Sequence, residues 1–122
     1  MKATRLIVPI KSTGLRSNEL DLIQYSPAGI SVYILEENTE KKWHVLFRNT
    51  QALRVTTWES ANEVLRTLPH EGGFFELFDS DLCRSLGAGI REYMQSARHF
   101  VISCYDQVVE VVAYEVTITC MP

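Results

Sequence analysis

Between residues 30 and 58 the chain alternates apolar and polar positions with a period of two. "ISVYILEE" (Ile30 to Glu37), "KWHVLFR" (Lys42 to Arg48) and "ALRVTTW" (Ala52 to Trp58) are rich in β-branched and aromatic residues, and the polar turns "NTEK" and "NTQ" separate them. That is the composition of strands joined by short connections. The period puts Ile30, Val32 and Ile34 on one face of the first strand and Trp43, Val45 and Phe47 on one face of the second. An antiparallel meander is the simplest arrangement of the three. Upstream, "TRLIVPI" reads as an edge strand because Pro9 lacks an N–H. Residues 11–29 read as loop, with "STG" and "SPAG" as turn signals around a short "LDLI".

The rhythm changes at Ser60. "SANE" fits a capping box, and Ala61, Val64, Leu65 and Leu68 follow the spacing of a packed helix face until Pro69 ends it. "FFELF" (Phe74 to Phe78) alternates as a strand. "DSDLCRSLGAGIREYMQSA" then reads as a helix capped by Asp79 or Ser80, with Leu82, Leu86, Ile90 and Met94 as one stripe. Gly87 and Gly89 each cost about 1 kcal/mol relative to Ala in a helix interior, so a kink or break is expected there.

"HFVISCYDQVVEVVAYEVTI" (His99 to Ile118) closes the pattern as a buried hairpin turning at Asp106-Gln107. Both of its faces are apolar, which places it inside a sheet. Its His99, Cys104 and Asp106 do not form a nucleophile relay. On one strand His99 and Cys104 lie roughly 17 Å apart at about 3.3 Å per residue, far beyond hydrogen-bond reach. Cys104 is expected to be a small core hydrophobe. Glu110, flanked by Val108, Val109, Val111 and Val112, needs a buried cation such as Arg54 or Arg91 if its strand is central. These elements define an α+β class: an antiparallel sheet of about six strands with two helices packed on one face, in one domain over residues 1–122.

Candidate chemistry changes this picture little. "LGAGIRE" holds a G-x-G before a helical segment, but no strand precedes it and the P-loop Lys is absent. Glu76 with Asp79 or Asp81 would make a carboxylate pair, although acids at a helix start are explained by capping and the helix dipole alone. The three cysteines, Cys83, Cys104 and Cys120, are widely spaced and suit reduced thiols rather than a disulfide framework. His44, His70 and His99 are too scattered for a zinc site. No metal, cofactor or catalytic residue is expected. No stretch reaches the roughly 18 apolar residues of a membrane helix, so a cytoplasmic location with no membrane contact is expected.

Charge is more informative. The net charge is −3, which disfavours direct nucleic-acid binding. Residues 1–66 sum to +2 and residues 67–122 to −5. The acids Glu71, Glu76, Asp79 and Asp81 run between Arg66 and Arg84 without a basic residue, and Asp106 and Glu110 follow Arg98. Such an asymmetry builds a face that steers a basic partner. Trp58 and Tyr105 are the aromatic anchors expected beside it. The expected partner-binding set is therefore Glu71, Glu76, Asp79, Asp81, Trp58, Tyr105, Asp106 and Glu110.

The order of "FRNTQALRVTTWE", "GGFFELFDSDLCRSLG" and "HFVISCYDQVVEVVA" resembles that of small bacterial immunity proteins from polymorphic-toxin and contact-dependent growth inhibition systems. The resemblance spans residues 30 to 116 and rests on core and turn positions. It implies a non-enzymatic protein, monomer or homodimer, that binds and neutralises one cognate toxin C-terminal domain, often a nuclease. It carries over no contact residue. Two rivals remain. One is a small-molecule-binding or enzymatic domain with a pocket at the "LGAGIRE" turn near Glu76. The other is a homo-oligomer pairing through an edge of the C-terminal hairpin.

Overall fold

A computed structural model describes residues 2–86 and 97–122. Nine strands are present among them: β1 (Lys2–Arg5), β2 (Glu19–Ser26), β3 (Gly29–Leu35), β4 (Lys42–Arg48), β5 (Ala52–Thr57), β6 (Phe74–Phe78), β7 (Arg98–Ser103), β8 (Gln107–Ala113) and β9 (Glu115–Cys120). They form two antiparallel sheets, β1-β6-β7-β8-β5 and β2-β3-β4-β9. This overturns the expected six-stranded sheet with two helices on one face. The main core is closed by a second sheet rather than by helices. Among the described residues the α-helices are short, α1 (Asn62–Thr67) and α2 (Asp81–Leu86).

The alternation of β3 and β4 drives the sandwich. Ile30, Val32, Ile34, Trp43, Val45 and Phe47 point at Phe74, Phe100, Ile102, Val109 and Val111 of the other sheet, and all are buried. Phe47 meets Phe100 at a ring-centroid distance of 5.4 Å, with Phe74 6.2 Å from Phe100, within the range where aromatic pairs add to area burial. The other face of the five-stranded sheet has its own smaller core. Phe75, Leu77, Val101 and Val108 pack there beneath Ala61, Val64 and Leu68 of the α1 segment. Strands β7 and β8 are thus covered on both sides, which explains their nearly continuous apolar sequence.

β5 does not continue a meander. It leaves β4 after residues 49–51 and joins the other sheet beside β8, while β8 passes through Tyr114 into β9, which pairs with β4. Gln51 N–H donates to the Val112 carbonyl and Tyr114 N–H to the Arg48 carbonyl, so pairing continues around the bend. The segments 42–57 and 107–120 are one long ribbon folded across both sheets, a known way of turning the corner of a sandwich. The apparent single run from Val108 to Ile118 is therefore two strands.

Three local expectations are also corrected. Residues 19–26 are not loop but the edge strand β2, whose pairing with β3 shifts between Leu20 and Leu22. Ser60 is not a capping residue: it ends a 3₁₀ turn (Trp58–Ser60), and α1 starts from Ala61 with no side-chain cap. The Trp58 N–H bonded to the Asp106 carbonyl fixes where that turn begins. The β7–β8 connection is Cys104-Tyr105-Asp106, with Cys104 N–H donating to the Gln107 carbonyl. The kink expected at Gly87 and Gly89 lies outside the described residues, as does most of "LGAGIRE".

Candidate functional site

The β7–β8 turn brings together three of the eight residues expected to bind a partner. Arg16, from the loop before β2, lays its guanidinium over Trp58 at 4.8 Å and over Tyr105 at 4.7 Å, measured to the ring centroids. Its Nε donates to the Tyr105 carbonyl at 2.6 Å, and its other end lies 3.7 Å from an Asp106 carboxylate oxygen. Backbone bonds from Trp58 to Asp106 and from Tyr105 to the Asn18 carbonyl lock the three segments. Tyr105 stays 54% exposed, although its carbonyl and amide are both fixed.

Beside this cluster opens a groove of about 450 Å³. Arg16, Tyr105 and Glu19 line it together with Glu36, Glu37 and Glu40. Its acidic wall is the β3–β4 turn. Asn38 (φ 69°) and Glu40 (φ 60°) take left-handed conformations there, so the chain reverses within four residues, 37–40, between the Glu36 N–H and the Lys41 carbonyl that it bonds, and crowds its carboxylates. Glu36 anchors that turn from inside. Its carboxylate accepts the Lys11 N–H at 2.8 Å and the Thr39 hydroxyl. Burial raises its pKa, but the bonds from Thr39 and Lys11 outweigh burial and hold the carboxyl below its usual range. Glu19, Glu37 and Glu40 are exposed. Thr13 donates to the Glu37 carboxylate at 3.2 Å.

The other five expected residues are scattered. Glu71 is exposed and pairs with Arg5 at 3.6 Å. Glu76 is largely buried and bonded to Arg98. Asp79 is exposed in a left-handed conformation (φ 52°), and Asp81 pairs with Arg84 one turn along α2. The tract that looks like one acidic face is thus divided between exposed and inward positions, and three of its four carboxylates have a cation of this chain beside them.

Glu110 is fully enclosed on the outer face of the five-stranded sheet. Arg54 grips it through Nε and Nη2 at 2.7 and 2.8 Å, so Arg54 is the cation that the valine run demanded. His99 Nε2 lies 3.0 Å from Glu110, and His99 Nδ1 lies 2.6 Å from the Ser80 hydroxyl. Burial raises the Glu110 pKa, but the bonds from His99 and Arg54, with the guanidinium charge, outweigh it and lower the pKa below the usual value. A serine, a histidine and a glutamate in line have the outline of a nucleophile relay. The Ser80 oxygen, however, also accepts the Cys83 N–H at 3.2 Å as the cap of α2, and Ser80 is 3% exposed. The chain of bonds satisfies buried polar groups and ties α2 to the sheet.

Among the described residues no group of three His, Cys, Asp or Glu side chains gathers as metal ligands. Cys104 is buried, and desolvation pushes its thiol up to about 12, which makes it chemically quiet. No helix of the described residues is long and apolar enough to cross a membrane. Sequence reasoning missed Arg16 and the groove glutamates. The signal for the latter was "EENTEK", three acids in six residues at a turn, which reads only as a polar connection until the loop before β2 is placed against it. No family model, curated protein or solved structure matches the chain.

Proposed function

We propose that the protein is a non-enzymatic binding module of the immunity type, which neutralises a bacterial toxin domain by covering it. The observation that carries this reading is the convergence of Trp58, Tyr105 and Asp106 on Arg16 at the mouth of the acidic groove. Tyrosine, tryptophan and arginine are the side chains that dominate interface energies, and here their backbones are fixed before any partner arrives. The exposed Glu19, Glu37 and Glu40 complement a basic partner surface, such as the phosphate-binding groove of a nuclease. The acidic surface is thereby assigned to the β3–β4 turn, and the 71–81 tract has a secondary part in it.

The test is co-expression in a bacterium with the toxin domain encoded immediately upstream, followed by affinity measurement on the purified pair. Survival together with a complex supports the reading. Within that complex, Tyr105→Ala and the charge reversal Glu37→Lys/Glu40→Lys are each expected to weaken binding by about tenfold or more. The reversal acts mainly on the association rate and on its salt dependence. A toxic neighbour that this protein does not rescue removes the reading.

A further inference from the structure

We infer that His99 is a proton-operated latch: it fastens the start of α2 to the five-stranded sheet while its ring is neutral, and lets go when Nδ1 takes up a proton. The latch is a line of side chains from β5, β8, β7 and the start of α2. Arg54 holds Glu110, Glu110 faces His99 Nε2 at 3.0 Å, and His99 Nδ1 faces the Ser80 hydroxyl at 2.6 Å. At the α2 end the Ser80 side-chain oxygen accepts the Cys83 N–H, and the Ser80 carbonyl accepts the Arg84 N–H. Donor and acceptor capacity gives the line a direction. The Glu110 carboxylate, ionised in the grip of Arg54, can only accept, so Nε2 carries the ring hydrogen and Nδ1 is left as an acceptor. The Ser80 O–H therefore donates to Nδ1, and every hydrogen in the line has an acceptor.

A further proton on Nδ1 turns that atom from acceptor into donor and makes the bond to Glu110 an ion pair. The Ser80 hydrogen then loses its acceptor. Among the described residues it has no other, and Ser80 is buried, so water does not take the place of the ring. The Ser80 end is the one that yields, since it joins neutral groups, whereas Arg54 grips Glu110 through two charge-assisted bonds. The other charges nearby are engaged elsewhere. From α1, Glu63 acts on Arg54. On α2, Asp81 and Arg84 pair with each other at the surface, and Cys83 is a neutral thiol whose pKa burial raises. Arg98, next to His99 on β7, bonds Glu76, and β6 places Leu77 opposite His99. α2 lines no part of the acidic groove, so the latch stands apart from the toxin-binding reading.

Nuclear magnetic resonance of the whole chain across a pH series tests this without any partner. At neutral pH the His99 ring is expected to carry its hydrogen on Nε2 alone. As pH falls and Nδ1 gains a proton, the exchange protection factors of the Cys83 and Arg84 amides should drop by about tenfold or more, while β7 and β8 amides keep theirs. His99→Gln retains a donor for Glu110 and an acceptor for Ser80 but has no basic nitrogen, so its α2 amides should stay protected until the sheet itself unfolds. A neutral-pH ring with its hydrogen on Nδ1 overturns the inference. So do α2 amides that stay protected beside a charged ring, a ring that stays neutral until the sheet unfolds, or a His99→Gln chain that loses α2 protection over the same pH range as wild type. If His99→Gln does not fold, the wild-type series decides alone.

Discussion

Replacing Arg54 by leucine should cost far more than a half-exposed arginine ordinarily does. Its guanidinium holds Glu110 at 2.7 and 2.8 Å, and the Glu110 side chain is 1% exposed. Removing one partner from a fully buried charged pair costs about 3–5 kcal/mol, because the other charge is left without compensation. The Arg54 side chain is itself 52% exposed. Water therefore refills part of the space it leaves, and the expected loss falls to about 2 kcal/mol. In urea titrations at neutral pH that corresponds to a midpoint lowered by roughly 1 M. The double variant Arg54→Leu/Glu110→Leu removes the stranded carboxylate and should recover much of the loss, since apolar replacement of a buried pair is often neutral or better. A single-variant loss below about 0.5 kcal/mol would refute the reasoning. So would a double variant as unstable as the two singles added together.

Glu110 also sets an acid limit. Its carboxyl titrates below the ordinary value of 4.5, so its contribution is complete above that pH and is lost as pH falls through the lower folded value. Glu36 acts in the same direction. Urea midpoints should decline as pH drops below about 4.5, less steeply in Glu110→Gln; an unchanged slope in that variant would discharge Glu110 from the role. Gly29 has φ 133°, and a Cβ there would sit 2.0 Å from the Phe47 carbonyl oxygen, so Gly29→Ala should lower stability by about 2 kcal/mol or more in calorimetry. Ser103 is 2% exposed and its hydroxyl has no partner among the described residues, so Ser103→Ala should be neutral or stabilising by up to about 1 kcal/mol, read as a rise in melting temperature.

How far these features were legible depends on whether their cause was local. The alternation of residues 42–48 matches β4 residue for residue, because one face of that strand meets one core. The need of Glu110 for a cation was legible from its four valine neighbours, but the sequence left Arg54 and Arg91 as alternatives, and only the pairing of β5 with β8 brings Arg54 to it. β2 was unreadable for a reason the pairing reveals. The irregularity at Leu20/Leu22 resets the period of two, so Leu20 and Ile23 pack inward while Leu22 is 50% exposed, and the alternation that marks a strand cancels. The bend at Tyr114 was hidden differently: nothing in an unbroken β-rich run reports that its two halves pair in different sheets. That bend is also why helices were expected to close the core. Once β8 turns into β9, and β4 into β5, the chain supplies its own second layer from residues that read as one sheet. The groove lies beyond local reading for the same reason. Arg16 meets Tyr105 across 89 positions of sequence, and only the corner that stacks the two sheets brings the loop before β2, the β3–β4 turn and the β7–β8 turn to one end of the molecule.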